Sequence, residues 1–162
     1  MEQKEFSLRY TCYDDSSEMK SEEVSLINQA KEAIKTSYSP YSKFAVGAAV
    51  KLANGQVVLG SNQENAAYPS GLCAERVALF AAAAQFPGVA IDSIAITVES
   101  PKHDTVGPIA PCGACRQVMI EYEHLHNSPM KVIMCGEQGS IVSVDKASSL
   151  LPFDFHADQL KK

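Results

Sequence analysis

The sequence lacks any apolar run long enough to cross a bilayer. The longest, Val77 to Ala84, falls far short of the roughly 20 residues that a spanning helix needs. The opening M-E-Q-K-E-F-S-L-R-Y mixes charges without the apolar stretch of a secretory leader, so a cytoplasmic location is expected. No block of Lys or Arg stands out and the formal charge is −5, which would repel a polyphosphate backbone and disfavours nucleic acid as a partner. There is no internal repeat, and no linker long enough to set off a second domain. Even the cysteines lack an even number. Five of them (Cys12, Cys73, Cys112, Cys115, Cys135) in a chain expected to stay reduced argue against a disulfide scaffold. What is present is ordinary: 162 residues, 46% hydrophobic and 20% charged, suit one domain with a real core.

Residues 1–20 are polar, acidic and aperiodic, and read as an irregular extension ahead of a single domain over residues 21–162. Ser21-Glu22-Glu23 opens a helix with acids in its first turn, where the dipole favours them. Its apolar stripe is Val24, Ile27, Ala30, Ala33 and Ile34, and Tyr38-Ser39-Pro40-Tyr41 stops it. Phe44 to Leu52 and Gln56 to Gly60 read as strands joined through Asn54-Gly55, a strong hairpin signal. Cys73 to Phe86 and Cys112 to about Glu123 read as helices, with strands at Ile91 to Val98, Lys131 to Cys135 and Ile141 to Val144. A last short helix is expected over Asp145 to Leu150. A hairpin followed by alternating helices and strands argues for an α/β layered domain around a mixed sheet.

Three cysteines fall in two blocks, Cys73-Ala74-Glu75-Arg76 and Pro111-Cys112-Gly113-Ala114-Cys115, each at a predicted helix start. Cys112 and Cys115 are i and i+3, so they share one face of a first turn. Unpaired N–H groups and the positive dipole end favour thiolate there. Two such starts facing one another would hold three thiolates around a soft cation, naturally zinc, and leave a fourth tetrahedral position for water. Glu75, two residues past Cys73, is placed to move a proton between that water and a substrate. Three thiolates and Zn²⁺ sum to −1, and the guanidinium of Arg76 could draw off the excess.

With C-A-E-R followed by P-C-G-A-C-R-Q, the chain resembles the small homotetrameric cytidine deaminases. S-P-Y-S-K-F-A-V-G-A-A-V, N-Q-E-N-A-A-Y and L-L-P-F-D-F extend the resemblance from about Val24 to Phe155. It implies a three-layer α/β/α sandwich with a central mixed sheet of about five strands. It also implies the hydrolysis of cytidine and 2′-deoxycytidine to the uridine nucleosides and ammonia, an activity of pyrimidine salvage, by the chemistry shared among zinc deaminases. On that resemblance Cys73, Cys112 and Cys115 hold one Zn²⁺ per subunit, and Glu75 carries protons to ring N3 and to the departing ammonia. Asn62 and Glu64 hold the ribose 3′-hydroxyl, the Ala74 N–H holds O2, and the Pro111 carbonyl faces the exocyclic amine. Phe44 flanks the base, while Tyr68 and Phe155 reach across from neighbouring subunits of a homotetramer.

Blander readings compete. A lone C-x-x-C also suits structural thiols or a thioredoxin-like dithiol, but neither explains a third cysteine followed two residues later by Glu. A structural zinc clip needs a fourth ligand. Cys135, His103, His124 and His126 are the candidates, each by itself an ordinary surface or core residue, and Cys12 and Cys135 are expected to have no role. Two other functions stay open: deamination of a related aminopyrimidine or cytosine-containing antibiotic, and a zinc-stabilised binding module without activity.

Overall fold

A computed structural model of the chain describes residues 1–161; Lys162, assigned above to the domain, lies outside the described residues. Six strands form one sheet: β1 (Thr11–Tyr13), β2 (Ala45–Leu52), β3 (Val57–Ser61), β4 (Ile91–Glu99), β5 (Lys131–Met134) and β6 (Ile141–Val144). Three α-helices join them, α1 (Ser21–Ala33), α2 (Ala74–Gln85) and α3 (Gly113–His126). The strand order is β1-β6-β5-β4-β2-β3. Among the described residues, the β4–β5 pair is the one parallel strand pair, because α3 makes the crossover between those two strands.

Alternation along the central strands sorts side chains into two cores. Ala48 and Val50 of β2, Ile94 and Ile96 of β4 and Val132 of β5 pack with Ala78, Leu79 and Ala82 of α2 and with Cys115 and Met119 of α3. Ala49, Ala95 and Ile133, the intervening residues, pack on the opposite face against Leu26, Ile27 and Ala30 of α1. The three-layer α/β/α arrangement is therefore the observed one, with α2 and α3 together on one face.

Small residues set how closely α2 sits on the sheet. Ala74, Ala78 and Ala82 recur every fourth position and are fully buried. Ala74 and Ala78 rest against Gly60 of β3, where an added Cβ would lie 2.4 Å from the Ala78 nitrogen. The hairpin forms as predicted, with Gly55 at φ +83° in its turn.

Three expectations are corrected. The sheet has six strands, not about five, and the sixth comes from the extension: Thr11–Tyr13 pairs antiparallel with Ile141–Ser143 of β6. A three-residue edge strand is too short to show periodicity in sequence, and the acids that follow it mask its β-branched and aromatic character. Helix α3 runs to His126 rather than about Glu123, because Asn127 adopts the left-handed conformation (φ +47°) and caps it. The last short helix is a 3-10 turn over Ala147–Leu150. Its Ala147 and Ser148 N–H groups donate to the Glu123 carboxyl at 2.8 and 2.9 Å.

Candidate active site and metal centre

The N-termini of α2 and α3 meet at the sheet. Cys73 and Cys112 are their N-cap residues, both in extended conformation, and Cys115 follows in the first turn of α3. The Cys73 and Cys112 sulfurs lie 3.8 Å apart, those of Cys112 and Cys115 lie 3.5 Å apart, and all three fall within 4.8 Å of one another. Zn–S bonds of about 2.3 Å in a tetrahedron require sulfurs about 3.8 Å apart. The donor set therefore fits zinc in number, chemistry and spacing. Cys115 is buried, while Cys73 and Cys112 line a cavity of about 950 Å³, so a cation held by the three faces that cavity.

Arg76 donates from Nη2 to the Cys73 sulfur at 3.7 Å, where the charge argument placed it. Hydrogen bonding with the Cys115 thiol, and then with Arg76 and Cys112, brings the Cys73 thiol down to about 5. The same exchange with Cys73 pushes the Cys115 thiol up. Glu75 is 5% exposed, yet it lines the same cavity. Burial raises its carboxyl above the ordinary value, and the charge on Cys73 adds to that.

The rest of the wall comes from two loops. Phe44 lines the cavity and packs edge-to-face on His103 at 5.8 Å. Asn62 also lines it, but its amide is busy. Its Oδ1 accepts from the Val46 N–H (2.8 Å) and the Ser37 hydroxyl (2.5 Å), and its Nδ2 donates to the Phe44 carbonyl (2.9 Å). Glu64 accepts from the Tyr41 and Ser42 N–H groups and from the Ser42 hydroxyl. Both residues hold the loop that presents Phe44. Each keeps one hydrogen-bonding position open, an N–H on Asn62 and a lone pair on Glu64.

The profile described as the cytidine and deoxycytidylate deaminase zinc-binding region matches residues 20–135. The chain belongs to that deaminase family. It is similar to the cytidine deaminase of Halalkalibacterium halodurans (strain C-125 among its designations), 43% identical over 135 residues, covering 83% of this chain and 95% of that protein. The cytidine deaminase of Sporosarcina psychrophila is 40% identical over 136 residues, covering 83% and 92%. Among solved structures it is similar to the cytidine deaminase from Burkholderia pseudomallei, with TM-score 0.71, 44% identity, and coverage of 85% of this chain and all of that one.

The remaining predicted residues of the deaminase chain sit as follows. Ala74 is fully buried in the first turn of α2, where N–H groups have no partner within the helix. Pro111 is buried and follows Ile109 and Ala110, which line the cavity, and its carbonyl accepts from Arg116 Nε at 2.8 Å. Its second lone pair is open. Tyr68 lines the cavity of its own chain and is 80% exposed, edge-on to Tyr41. Phe155 does not line that cavity. Gln117 clamps its backbone on both sides, and its ring is exposed. Cys12 and Cys135 lie outside the sulfur cluster.

Sequence reasoning gave no role to Arg116 or Ser42 in this deaminase site and weighed His103 only as a fourth ligand of a zinc clip. Arg116 ties the Pro111 carbonyl to that of Leu150 and so fixes the approach to α3. It stands inside C-G-A-C-R-Q, so its motif was the available signal. Ser42 orients Glu64 and stands inside the S-P-Y-S-K-F block, whereas His103, which braces Phe44, carries no local signature.

Proposed function

We propose that the chain is a zinc-dependent hydrolase converting cytidine and 2′-deoxycytidine, with water, to uridine and 2′-deoxyuridine plus ammonia, a reaction of pyrimidine salvage. One observation carries the reading: three sulfurs at zinc spacing lie beside a buried carboxyl on the wall of a cavity large enough for a nucleoside. Zinc supplies a water acidified enough to attack at neutral pH.

Every other part falls to the chain itself. Glu75 takes the proton from the attacking water, passes it to ring N3, and then carries a proton to the amine that leaves C4 as ammonia. The Ala74 N–H holds the ring O2, and the Pro111 carbonyl accepts from the exocyclic amine and fixes the ring's orientation. Phe44 covers one face of the base. Asn62 and Glu64 receive the 3′-hydroxyl with their open donor and acceptor, which match a group that both gives and takes hydrogen bonds. Arg76 offsets the surplus charge of three thiolates.

The same reading makes the protein a cytoplasmic homotetramer with one zinc per subunit. Three thiolate ligands suit a reducing compartment. Among the described residues, no helix is long and apolar enough to cross a membrane. Tyr68, Phe153 and Phe155 expose large rings that solvent disfavours, and a neighbouring subunit would cover them and close the cavity to water. Incubation with cytidine tests the function: cytosine absorbance falls while ammonia appears in equal amount. A flat trace over hours with zinc-loaded protein overturns it. Cytosine base run in parallel reports whether the sugar contacts are needed, and light scattering reports the tetramer.

A further inference from the structure

At the far end of α3, three side chains converge that the deaminase site does not use. His124, in the last turn of α3, places Nε2 3.1 Å from Oδ2 of Asp154, and His156 places Nδ1 3.5 Å from the same oxygen. The two imidazoles stack with centroids 5.2 Å apart and planes 22° from parallel. All three ligand atoms lie within 4.8 Å of one another.

As a hydrogen-bond cluster, this arrangement is incomplete. His124 pairs with Asp154, but the His156 Nδ1 is buried and has no hydrogen-bond partner among the described residues. A buried ring nitrogen aimed at a carboxylate oxygen already engaged by a second imidazole carries a desolvation cost with no return. A cation between the three atoms removes that cost. Metal–nitrogen and metal–oxygen bonds of about 2.0–2.2 Å put tetrahedral ligands roughly 3.3–3.6 Å apart, close to the measured 3.1 and 3.5 Å. Two imidazoles and one carboxylate select a borderline transition-metal dication over calcium or magnesium. Partial exposure of the side chains leaves room for water at the remaining coordination positions.

We infer that His124, Asp154 and His156 form a second divalent-metal site, specific for zinc-like cations, that fastens the C-terminal segment to α3. His124 is nine residues past Cys115, so at 1.5 Å per residue the two sites are about 14 Å apart along the helix. The segment it fastens carries Phe153 and Phe155, already tied to α3 by Gln117. The cation adds a cross-link where side-chain hydrogen bonds alone are exposed to water. The inference does not rest on the catalytic reading.

Cobalt(II) titrated into protein that holds a single zinc per chain, at the three cysteines, tests it. The wild type takes up a further equivalent whose visible bands come without intense thiolate-to-metal charge transfer, marking nitrogen and oxygen ligands. That equivalent is lost in His124→Ala, in Asp154→Asn and in His156→Ala, and is kept in His126→Ala, two residues further along the helix. Zinc content after dialysis against tenfold excess metal falls by the same one equivalent in the three variants. Amide exchange over residues 153–158 slows on metal addition in the wild type alone. His124 is the most exposed of the three, so His124→Ala carries the test if another variant misfolds. Wild type that binds no further equivalent, variants that all retain it, or a further equivalent with thiolate bands would each overturn the proposal.

Discussion

A single methyl group at Gly60 should damage the metal centre, although Gly60 touches no ligand. A Cβ there would lie 2.4 Å from the Ala78 nitrogen, 2.6 Å from the Ala74 carbonyl oxygen and 2.8 Å from the Ala78 Cβ, where ordinary contact begins near 3.4 Å. None of these atoms can swing aside, since all belong to α2 backbone or to a methyl fixed to it. In Gly60→Ala the helix must therefore retreat from β3 by about 1 Å. Its N-terminus carries Cys73 and Glu75, whereas Cys112 and Cys115 are held separately by α3. Metal sites tolerate roughly 0.2 Å in ligand distance, so zinc affinity falls. A catalytic group misplaced by about 1 Å costs on the order of 100-fold in turnover. Overpacking of this kind costs about 1–3 kcal/mol of stability, roughly 2–9 °C in Tm for a chain of this size.

Gly55→Ala separates the two effects. Nothing lies within 4 Å of its Cβ, and only the φ of +83° is strained. It should lose about 1–2 kcal/mol of stability while keeping turnover and zinc. Thermal unfolding, zinc retention against a chelator and the rate on cytidine, measured on both variants, check the reasoning. Gly60→Ala with turnover within threefold of wild type and undiminished zinc retention would refute it.

Glu75→Gln keeps three sulfurs and zinc but cannot carry a proton; turnover should fall by about 100-fold to 10,000-fold with zinc content unchanged, and activity within tenfold of wild type would remove the proton-carrier role. Glu123→Ala should cost roughly 3–6 kcal/mol in denaturant unfolding, because its carboxyl accepts from the N–H groups of Met130, Ala147 and Ser148, two of them in fully buried residues. The Glu64 carboxyl is held below its ordinary 4.5, chiefly by the Ser42 hydroxyl and then by the Tyr41 and Ser42 N–H groups. A depressed carboxyl contributes stability that is present above about 4.5 and lost as pH falls through the lower folded value. The stability gap between wild type and Glu64→Gln should therefore be full near neutrality and close on acidification below about 4.5, while a gap that does not change with pH would contradict the hydrogen-bond assignment.

Much of the site was legible because its parts are local. Cys112 and Cys115 share a first turn by spacing alone, and Glu75 and Arg76 follow Cys73 within a turn. The proline, glycine and Asn-Gly punctuation placed most elements for the same reason. Asn62 and Glu64 illustrate the limit. Their side chains spend most of their hydrogen-bonding capacity on the Ser37–Val46 segment, a pairing of residues about 20 apart that no sequence window reports. The partnership of Thr11–Tyr13 with β6 and the meeting of His124 with Asp154 and His156 were hidden likewise. In each case the partners are distant in sequence and carry no shared pattern.

The sequence by itself determined the inventory: which thiols, acids and helix starts exist, and which faces of each element are apolar. Hydrogen bonding within a turn and alternation along a strand depend only on near neighbours, so they can be read there. Tertiary structure alone decided that sulfurs 39 residues apart come within 3.8 Å and that a glutamate in the first turn of a helix is buried on the wall of a cavity. Those outcomes follow from how closely two helices can press onto one sheet face, which is set by alanines and a glycine that carry no chemistry of their own.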